Sequence, residues 1–262
     1  MSKTPLVLYE KNENVALITL NRASAMNAFD AEMRSALMDA QNTAEADKDI
    51  RIIVLTGSGR AFSSGTDLRE ATDGEGLLGG FDTSVRDYKP LIDNVTQSDK
   101  IYIAAINGFA GGVALNLALG ADLAVMAEDA KIFSPFADIG FVPDGGASWE
   151  LLRGLGYKRA FAAIAECTKL DATTCLEAGL VNRVVPAEEL IQSAMNWAKS
   201  LAERAPLSLK YTKKILRESA TLSRTQSAFL ESEYQMKCIN SEDAPAAISA
   251  FFNKQKPIFK GR

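Results

Sequence analysis

Asp144 is a carboxyl side chain that could either start a helix or transfer a proton. It lies in FVPDGGASWELL (141–152), between a proline and two glycines and ahead of a segment with helical spacing. Apolar neighbours such as Phe136, Phe141 and Trp149 would raise the pKa of a carboxyl group by disfavouring its ionised form, although these rings also fit an ordinary core. The same letters fit a helix N-cap, so Asp144 either starts a helix or acts as a general base.

The chain contains no histidine, which narrows the chemistry. Without imidazole there is no Ser-His-Asp or Cys-His machinery and no histidine-ligated metal, so proton transfer falls to carboxylates, tyrosine, lysine or water. The three cysteines, Cys167, Cys175 and Cys238, are not spaced as metal ligands. We therefore expect no metal site, no disulfide and a reducing compartment.

Length and composition indicate a globular protein. A chain of 262 residues with 47% hydrophobic content fits one large domain, with or without a subdomain. The net charge of −4 gives no general attraction to nucleic acid. The first ten residues, MSKTPLVLYE, lack the apolar core of a signal peptide, and no apolar run is long enough to span a bilayer. We expect a soluble, cytoplasmic protein with no membrane partner.

Hydrophobic patterning predicts an α/β core followed by helices. Apolar stretches rich in β-branched residues alternate with helical segments such as FDAEMRSALMDAQNTAEAD (29–47), which favours βα units and a largely parallel sheet. The predicted strands are VALITL (15–20), RIIVLTG (51–57), IYIAAING (101–108), LAVMAED (123–129) and LVNRVVP (180–186). From Ala187 the pattern is almost wholly helical, so we place a core at 1–190 and a helical region at 191–262.

The segment EATDGEGLLGGFDTS (70–84) is rich in glycine and acid and lacks periodicity, which predicts a loop. It would be either a lid or a surface insertion without function.

Two glycine corners follow predicted strands. RAFSSGTDL (60–68) follows one strand, and INGFAGGVALNLALGADLAV (106–125) contains the end of another. Main-chain N–H groups after strand ends can point into the crevice where ligands bind, and two such groups could hold one carbonyl oxygen, although glycine after a strand is usually only a turn. GFAGGVA does not match G-x-G-x-x-G, which disfavours a dinucleotide site.

Five ordered motifs resemble those of the crotonase superfamily, also called the enoyl-CoA hydratase/isomerase family. They are ITLNRASAMNAF, GRAFSSGTDL, INGFAGGVALNLALGADLAV, FVPDGGASWELLRGLG and LEAGLVNRVV, and the resemblance runs from about residue 5 to the tail FFNKQKPIFKG. It implies a crotonase-like core of repeated ββα units, a C-terminal helical trimerisation region, and assembly as a homotrimer or a dimer of trimers. It also implies an acyl-CoA thioester substrate, with coenzyme A as part of the substrate and no separate cofactor.

The resemblance assigns an oxyanion hole and a coenzyme A site. The main-chain N–H groups of Thr66 and of Val113, which follows Gly112, would hold an enolate oxygen. Many relatives carry lysine where this chain has Ser24, which removes one phosphate contact. The tail would add charge and an adenine-facing ring across a subunit boundary, unless it is merely a solvated basic tail. The implied contacts are Ser24, Ala25, Met26, Ser64, Asp67 and Leu68, with Lys254, Lys256 and Phe259 from the tail.

The acidic positions indicate the reaction. Family hydratases use two glutamates, at the positions of Asn116 and Phe136 here, and an amide and a phenyl ring cannot replace them in adding water. Relatives that isomerise enoyl-CoA, including phenylacetate-pathway isomerases, carry a catalytic acid at the position of Asp144 and commonly asparagine at the position of Asn116. The resemblance therefore implies a 3-enoyl-CoA to 2-enoyl-CoA isomerase in which Asp144 shuttles the proton.

Three alternatives stay open. A ring-opening isomerase of an aryl-CoA epoxide would use similar parts, whereas aromatic dehalogenation is disfavoured because it relies on a histidine. A noncatalytic acyl-CoA-binding or RNA-binding relative would need no acid, and its RNA form would want a basic helix such as LKYTKKILR (209–217). We interpret that stretch as a solvated helix face and expect no nucleic acid partner. Asp138 and Glu150 are interpreted as structural.

Overall fold

The computed structural model describes residues 4–72 and 84–262. Most of the predicted loop at 70–84 lies outside these ranges, and the described residues at its two ends are helical: Leu68–Thr72 before it and Ser84–Tyr88 after it. Among the residues described, no helix is both long and apolar enough to cross a membrane.

The larger of two sheets contains every strand predicted from the sequence. Its order is β1-β2-β3-β5-β7-β10, in which β1 and β2 are antiparallel and all other neighbours are parallel. The central strands β3 and β5 are buried at every residue, which is typical of a parallel sheet covered on both faces. The bounds are β1 Val7–Asn12, β2 Val15–Leu20, β3 Ile52–Gly57, β5 Ile101–Ile106, β7 Leu123–Ala127 and β10 Arg183–Val185.

A second sheet of four short strands follows the ends of the long ones. Its order is β4-β6-β8-β9, with β4 Ala61–Ser63, β6 Phe109–Gly111, β8 Lys131–Phe133 and β9 Leu170–Asp171. Each of β3, β5 and β7 is followed within a few residues by one of these short strands and then by a helix. The chain therefore repeats a ββα unit, as the motifs led us to expect.

Helices cover the sheets and form the C-terminal part of the chain. The first long helix begins where Asp30 accepts a hydrogen bond from Met33 N at 2.8 Å, an N-cap that the sequence carries directly before the apolar pattern. The helices are α1 Ala31–Ala46, α2 Leu68–Thr72, α3 Lys89–Gln97, α4 Ala114–Leu119, α5 Ala147–Leu155, α6 Tyr157–Ala165, α7 Ala172–Glu177, α8 Leu190–Ala202, α9 Pro206–Ser219, α10 Arg224–Ile239 and α11 Asp243–Phe252.

Helix α8 packs directly on the large sheet. Its buried residues recur at every fourth position, Leu190, Ala194, Ala198 and Ala202, so that one narrow face meets β3, β5 and β7. The small alanine side chains let this helix approach the sheet closely. The predicted boundary at 190/191 falls in the first turn of α8, a helix that packs on the core, and the division into two regions stays a prediction.

Lys213 anchors α9 to the sheet. Its ammonium group, almost wholly buried, donates to Asp122 Oδ2 at 2.8 Å and to the main-chain oxygens of Val95 and Lys100 at 3.0 Å each. Asp122 also accepts from Arg217 at 3.1 Å. Burial lowers the pKa of Lys213, and Asp122 opposes this change. The three acceptors compensate the ammonium group for the water that it loses.

We predict that Lys213→Met destabilises the protein by about 3–5 kcal/mol, because Asp122 keeps its burial and loses its closest cation. Urea unfolding would measure the difference. Lys214→Met is the matched control: Lys214 pairs with Asp99 at 2.8 Å on the surface, and its loss should cost less than about 1 kcal/mol. Equal losses in the two variants would contradict the anchoring role of Lys213.

Candidate active site

The first glycine corner follows β4 and leaves one amide available. Phe29 N donates to Gly65 O at 2.8 Å, and Asp67 N donates to Phe29 O at 2.9 Å. Thr66 lies between these two bonds, and within the described ranges its amide donates to no main-chain oxygen. Gly65 has φ of +90°, which turns the chain sharply at the end of the strand.

The second corner follows β6 and meets the first. Gly112 has φ of +57°, and Val113 is the residue from which α4 begins. A Cβ atom added to Gly65 would lie 2.8 Å from Gly111 O and 3.2 Å from Val113 N. As with Thr66, the amide of Val113 donates to no main-chain oxygen in the part of the chain that the structure describes. The structure therefore brings together the two predicted oxyanion donors.

Asp144 does not cap a helix. Helix α5 begins at Ala147, its N-cap is Gly146, and no side chain in the described part of the chain caps it. The carboxylate instead accepts a hydrogen bond at Oδ2 from Ser84 Oγ at 3.1 Å. Its Oδ1 atom is buried and has no hydrogen-bond partner among the described residues. The helix-cap interpretation of Asp144 is therefore wrong.

Burial raises the pKa of Asp144, and the Ser84 hydroxyl opposes this shift. The direction agrees with the sequence prediction, but Trp149 and Phe141 are not core rings: they are 41% and 48% exposed. The Trp149 ring lies 3.7 Å from the guanidinium carbon of Arg153, a cation–π contact. The interpretation of Trp149 as an ordinary core residue is thus wrong.

Asn116 ties the turn that carries Asp144 to helix α4. Its Nδ2 atom donates to the main-chain oxygen of Asp144 at 2.9 Å. A Cβ atom at Gly145, which has φ of +65°, would lie 2.4 Å from the same Nδ2, so only glycine leaves room for this bond. Because α4 begins directly after Val113, this helix holds both the second corner and, through Asn116, the turn that carries Asp144. The other predicted contact here, Phe136, is half-buried in a turn of 3₁₀ helix, Phe136–Ile139.

The predicted coenzyme A contacts outside the tail lie together around the first corner. Four of their main-chain amides donate within the chain, from Ala25 to Arg22 O, Met26 to Ala23 O, Ser64 to Met26 O and Asp67 to Phe29 O. Contacts to coenzyme A at these residues would therefore use carbonyl oxygens or side chains. Ser24 and Leu68 have exposed side chains.

The Asp67 carboxylate is committed to the protein. It is buried and pairs with Arg22 and Arg69, each at 2.8 Å, and these contacts hold the pKa of Asp67 well below its usual range. The Asp67 side chain therefore holds the first corner in place. Because its carboxylate is already paired, a contact of Asp67 with coenzyme A would use the main chain.

The tail lies near the start of β3, at the end of the strands opposite to the first glycine corner. Phe259 O accepts from Arg51 Nη2 at 2.6 Å, and Lys256 pairs with Glu203 at 2.7 Å, while Lys254 is exposed. Arg51 precedes β3, whereas the first glycine corner follows the end of that strand. A tail contact with coenzyme A would therefore have to come from another subunit.

Asn27 is a structural residue of the site that the motifs did not single out. It is fully buried at φ of +54°, and its amide nitrogen donates to Ala61 O at 2.8 Å and Ser58 O at 2.9 Å. Its Oδ1 accepts from Arg22 N at 2.8 Å. These bonds offset the cost of a left-handed conformation and position β4. An asparagine in a turn-forming motif is a sequence signal that could have revealed this role.

Tyr88 packs beside the first corner, in contact with Phe29 and the Thr66 side chain. It is buried, meets Phe29 edge to face with ring centroids 6.2 Å apart, and lies under the Arg34 guanidinium at 5.3 Å. Burial raises the pKa of the Tyr88 phenol, and the neighbouring Thr66 hydroxyl opposes the shift. Nothing in the sequence pattern links Tyr88 to Thr66.

Glu150 is a second acid with an altered pKa. Burial raises its pKa to about 7, and the cations Arg217 and Arg153 oppose the shift. With Asn116 and Trp149 it borders a surface cavity of about 240 Å³. No described group of three or more acidic or cysteine side chains is arranged to hold a metal ion.

The fold and the paired glycine corners beside an enclosed acid define a class of enzyme, the crotonase class. Residues 10–262 match the family model for enoyl-CoA hydratase/isomerase. The chain therefore belongs to the enoyl-CoA hydratase/isomerase family, whose members act on acyl-CoA thioesters, and its activity is of this hydratase or isomerase class.

Individual relatives agree in length and fold. The chain is 33% identical over 258 residues to 1,2-epoxyphenylacetyl-CoA isomerase of Escherichia coli K12, covering 98% of both chains. It is 30% identical over 257 residues to 2,3-dehydroadipyl-CoA hydratase of the same strain, covering 98% of this chain and 99% of that one. An enoyl-CoA hydratase structure from Bacillus anthracis superposes with a TM-score of 0.92 at 25% identity, covering 98% and 100% of the two chains.

We predict that Glu150→Gln makes stability less dependent on pH. A raised pKa means that Glu150 binds its proton more tightly in the folded chain than in the unfolded chain. The stability that this proton contributes is fully present below about pH 4.5 and is lost as the pH rises to about 7. At pH 8 the variant should exceed the wild type by about 1–3 kcal/mol, and at pH 4.5 the two should agree. Urea unfolding at several pH values measures this.

Glu188→Gln, at an exposed position on the surface, is the matched control and should leave the pH profile unchanged. A Glu150→Gln effect of the same size at pH 4.5 and pH 8 would contradict the prediction.

Proposed function

We propose that the protein is an enoyl-CoA isomerase that converts a 3-enoyl-CoA into the conjugated 2-enoyl-CoA. The observation that carries this proposal is an enclosed carboxylate, Asp144, whose supporting residue Asn116 lies on the helix that begins at the second glycine corner. An acid near two amides that donate to no main-chain oxygen of the described residues suits a reaction that moves one proton between two carbons of the same substrate.

The reaction follows from these parts. Asp144 removes a proton from C2 of the 3-enoyl thioester, and the resulting dienolate places negative charge on the thioester oxygen. The amides of Thr66 and Val113 stabilise that charge. The protonated Asp144 then returns the proton to C4, which leaves the double bond between C2 and C3. A raised pKa favours both halves, because the group must first accept a proton and then release it.

Hydration is less well supported by the same site. Adding water needs a group that positions and deprotonates the water as well as one that delivers a proton to carbon. Of the two residues at the family glutamate positions, Asn116 has its amide committed to the Asp144 carbonyl, and Phe136 carries no titratable group. The hydratase names among the relatives therefore support the family more than they support this particular reaction.

Ring opening of an aryl-CoA epoxide is the second candidate. The 33% identity to 1,2-epoxyphenylacetyl-CoA isomerase along nearly the whole chain favours it. This reaction would use the same oxyanion donors and the same acid, so the choice between the two candidates depends on the substrate that is turned over.

The RNA-binding alternative loses support from the ion pairs of α9. In the predicted basic stretch, Lys210 and Lys214 both pair with Asp99, while Lys213 and Arg217 pair with Asp122. These four cations are thus compensated by acids of the same chain, which leaves little free charge for a phosphate backbone.

We predict that Asp144→Asn lowers isomerisation of a 3-enoyl-CoA by at least about a hundredfold, because the amide cannot accept the proton. The absorbance of the conjugated thioester gives the rate, and matching circular dichroism spectra establish that the folds agree. Asp138→Asn, at an exposed site six residues earlier, is the matched control and should keep the wild-type rate.

Equal rates in the wild type and Asp144→Asn would remove Asp144 from the chemistry. Turnover of an aryl-CoA epoxide without turnover of 3-enoyl-CoA would replace the proposal by the second candidate, and a 3-hydroxyacyl product would indicate a hydratase.

We also propose that the chain assembles as a homotrimer or a dimer of trimers. The C-terminal helices and the residues after them present large apolar side chains to solvent, including Phe251 and Phe252 at 78% and 77% exposure. Contiguous exposed apolar surface of this kind indicates a protein interface. The position of the tail, at the end of the strands opposite to the first glycine corner, also suits a site completed by a neighbouring subunit.

Sedimentation equilibrium should give a mass of three or six times 28.2 kDa. Replacing both Phe251 and Phe252 with aspartate should shift the mass toward the monomer, whereas Gln255→Asp, an exposed change in the same region, should not. A wild-type monomer would contradict the proposal.

A further inference from the structure

Ser84 is the only described residue whose side chain donates a hydrogen bond to the Asp144 carboxylate. Its hydroxyl lies 3.1 Å from Oδ2. The two residues are 60 positions apart in the sequence, so the fold, and not a local turn, brings them together. The two carboxylate oxygens therefore have different surroundings: Oδ2 accepts the Ser84 bond, whereas Oδ1 is buried and has no partner among the described residues.

The turn that carries Ser84 is itself held in place. Ser84–Tyr88 forms one wide helical turn that leads into α3, and it ends on the buried Tyr88 ring. The first two buried residues of α3, Leu91 and Ile92, continue this contact with the core. The Ser84 hydroxyl is therefore presented to Asp144 by a segment anchored at its C-terminal end.

Charged groups do not replace Ser84 in setting the basicity of Asp144. The pKa of Asp144 is raised by burial and lowered by the Ser84 hydroxyl and by its own main-chain amide, and no charged side chain of the described residues is among the causes. In the Ser84 turn, Arg86 pairs with Asp87. On the other side of the turn that carries Asp144, the charged residues Asp93, Glu150 and Arg217 border the cavity that also touches Gly145.

We propose that Ser84 is a positioning residue that holds Asp144 through Oδ2, so that Oδ1 is the oxygen that removes and returns the substrate proton. This inference rests on the proposed isomerase function. A hydrogen bond to one carboxylate oxygen fixes the rotation of the group and reduces the basicity of that oxygen. The other oxygen, which is enclosed and has no donor among the described residues, then keeps the higher proton affinity.

The geometry also sets a condition on substrate binding. Because Oδ1 is buried in this structure, the acyl group must move protein atoms aside to reach it. A carboxylate held at Oδ2 keeps its orientation while this happens. Without Ser84, the group can rotate, and the productive oxygen is no longer fixed.

The test compares Ser84→Ala and Ser84→Thr with the wild type in kcat, KM and the pH dependence of kcat/KM for a 3-enoyl-CoA. Loss of the hydroxyl removes a bond to the ionised carboxylate, so the pKa of Asp144 should rise. The acidic limb of the profile should therefore move to higher pH by about one unit. We expect kcat at the plateau to fall about tenfold or more with KM within about threefold, and Ser84→Thr to restore both properties.

Ser200→Ala, which removes an exposed hydroxyl from α8, is the matched control and should leave the profile unchanged. An unmoved acidic limb with an unchanged kcat in Ser84→Ala would overturn the inference. So would a uniform loss of rate that Ser84→Thr does not restore, since that result indicates a general structural defect.

A second measurement separates this inference from the proposed function. Titration of ¹³C-labelled aspartate carboxyl groups by NMR, with Asp144→Asn for assignment, gives the pKa of Asp144 without any substrate. A higher value in Ser84→Ala supports the contact, and an unchanged value overturns it, even if the wild type turns over no 3-enoyl-CoA. Inactivity of the wild type would instead overturn the proposed function and, with it, the assignment of Oδ1 as the proton-transfer oxygen.

Discussion

The close approach of two main-chain corners is the constraint on which the rest of the site depends. Gly65 and the Gly111–Gly112 pair come so near that a single Cβ atom at residue 65 would lie 2.8 Å from a carbonyl oxygen. The parallel pairing of β4 with β6 sets this approach, because it aligns the strands immediately before the two corners. The Asn27 amide in turn fixes β4 through Ala61 O. The amides of Thr66 and Val113 are thus positioned by strand register and by one buried side chain.

The pKa of Asp144 is set by a balance between desolvation, which raises it, and the Ser84 hydroxyl, which lowers it. Burial alone would favour a neutral Asp144, and the Ser84 hydroxyl favours the ionised form. The turn that carries the acid has its own support, since Asn116 donates to the Asp144 carbonyl and Gly145 leaves the space for that bond. The side chain and the main chain of one residue are therefore held from two different helical segments, one before α3 and one within α4.

Much of the fold could be predicted because most strands of the large sheet lie in apolar runs, whereas β1, VLYEKN, is half polar and was not predicted. All five predicted strands lie in the large sheet, and the helical segment at 29–47 is α1. Each glycine corner was also predictable, because glycine at a strand end has a local signature. The Asp144 contacts were not: Ser84 and Asn116 reach it across 60 and 28 positions, and such contacts depend on packing that no local pattern encodes. Asp144 itself also shows why short motifs mislead, since its letters fit an N-cap while Gly146 takes that place.

Glu150 gives the protein a property that its composition conceals. A chain without histidine would be expected to exchange few protons near neutrality, yet this carboxyl group has a pKa raised to about 7. It borders the same cavity as Asn116 and Gly145, which support the acid-bearing turn. A ligand that changes the solvation of this cavity would therefore change the proton occupancy of Glu150 on binding. In a calorimeter, the heat of binding at pH 7 would then depend on the ionisation enthalpy of the buffer, even though the ligand itself carries no titrating group.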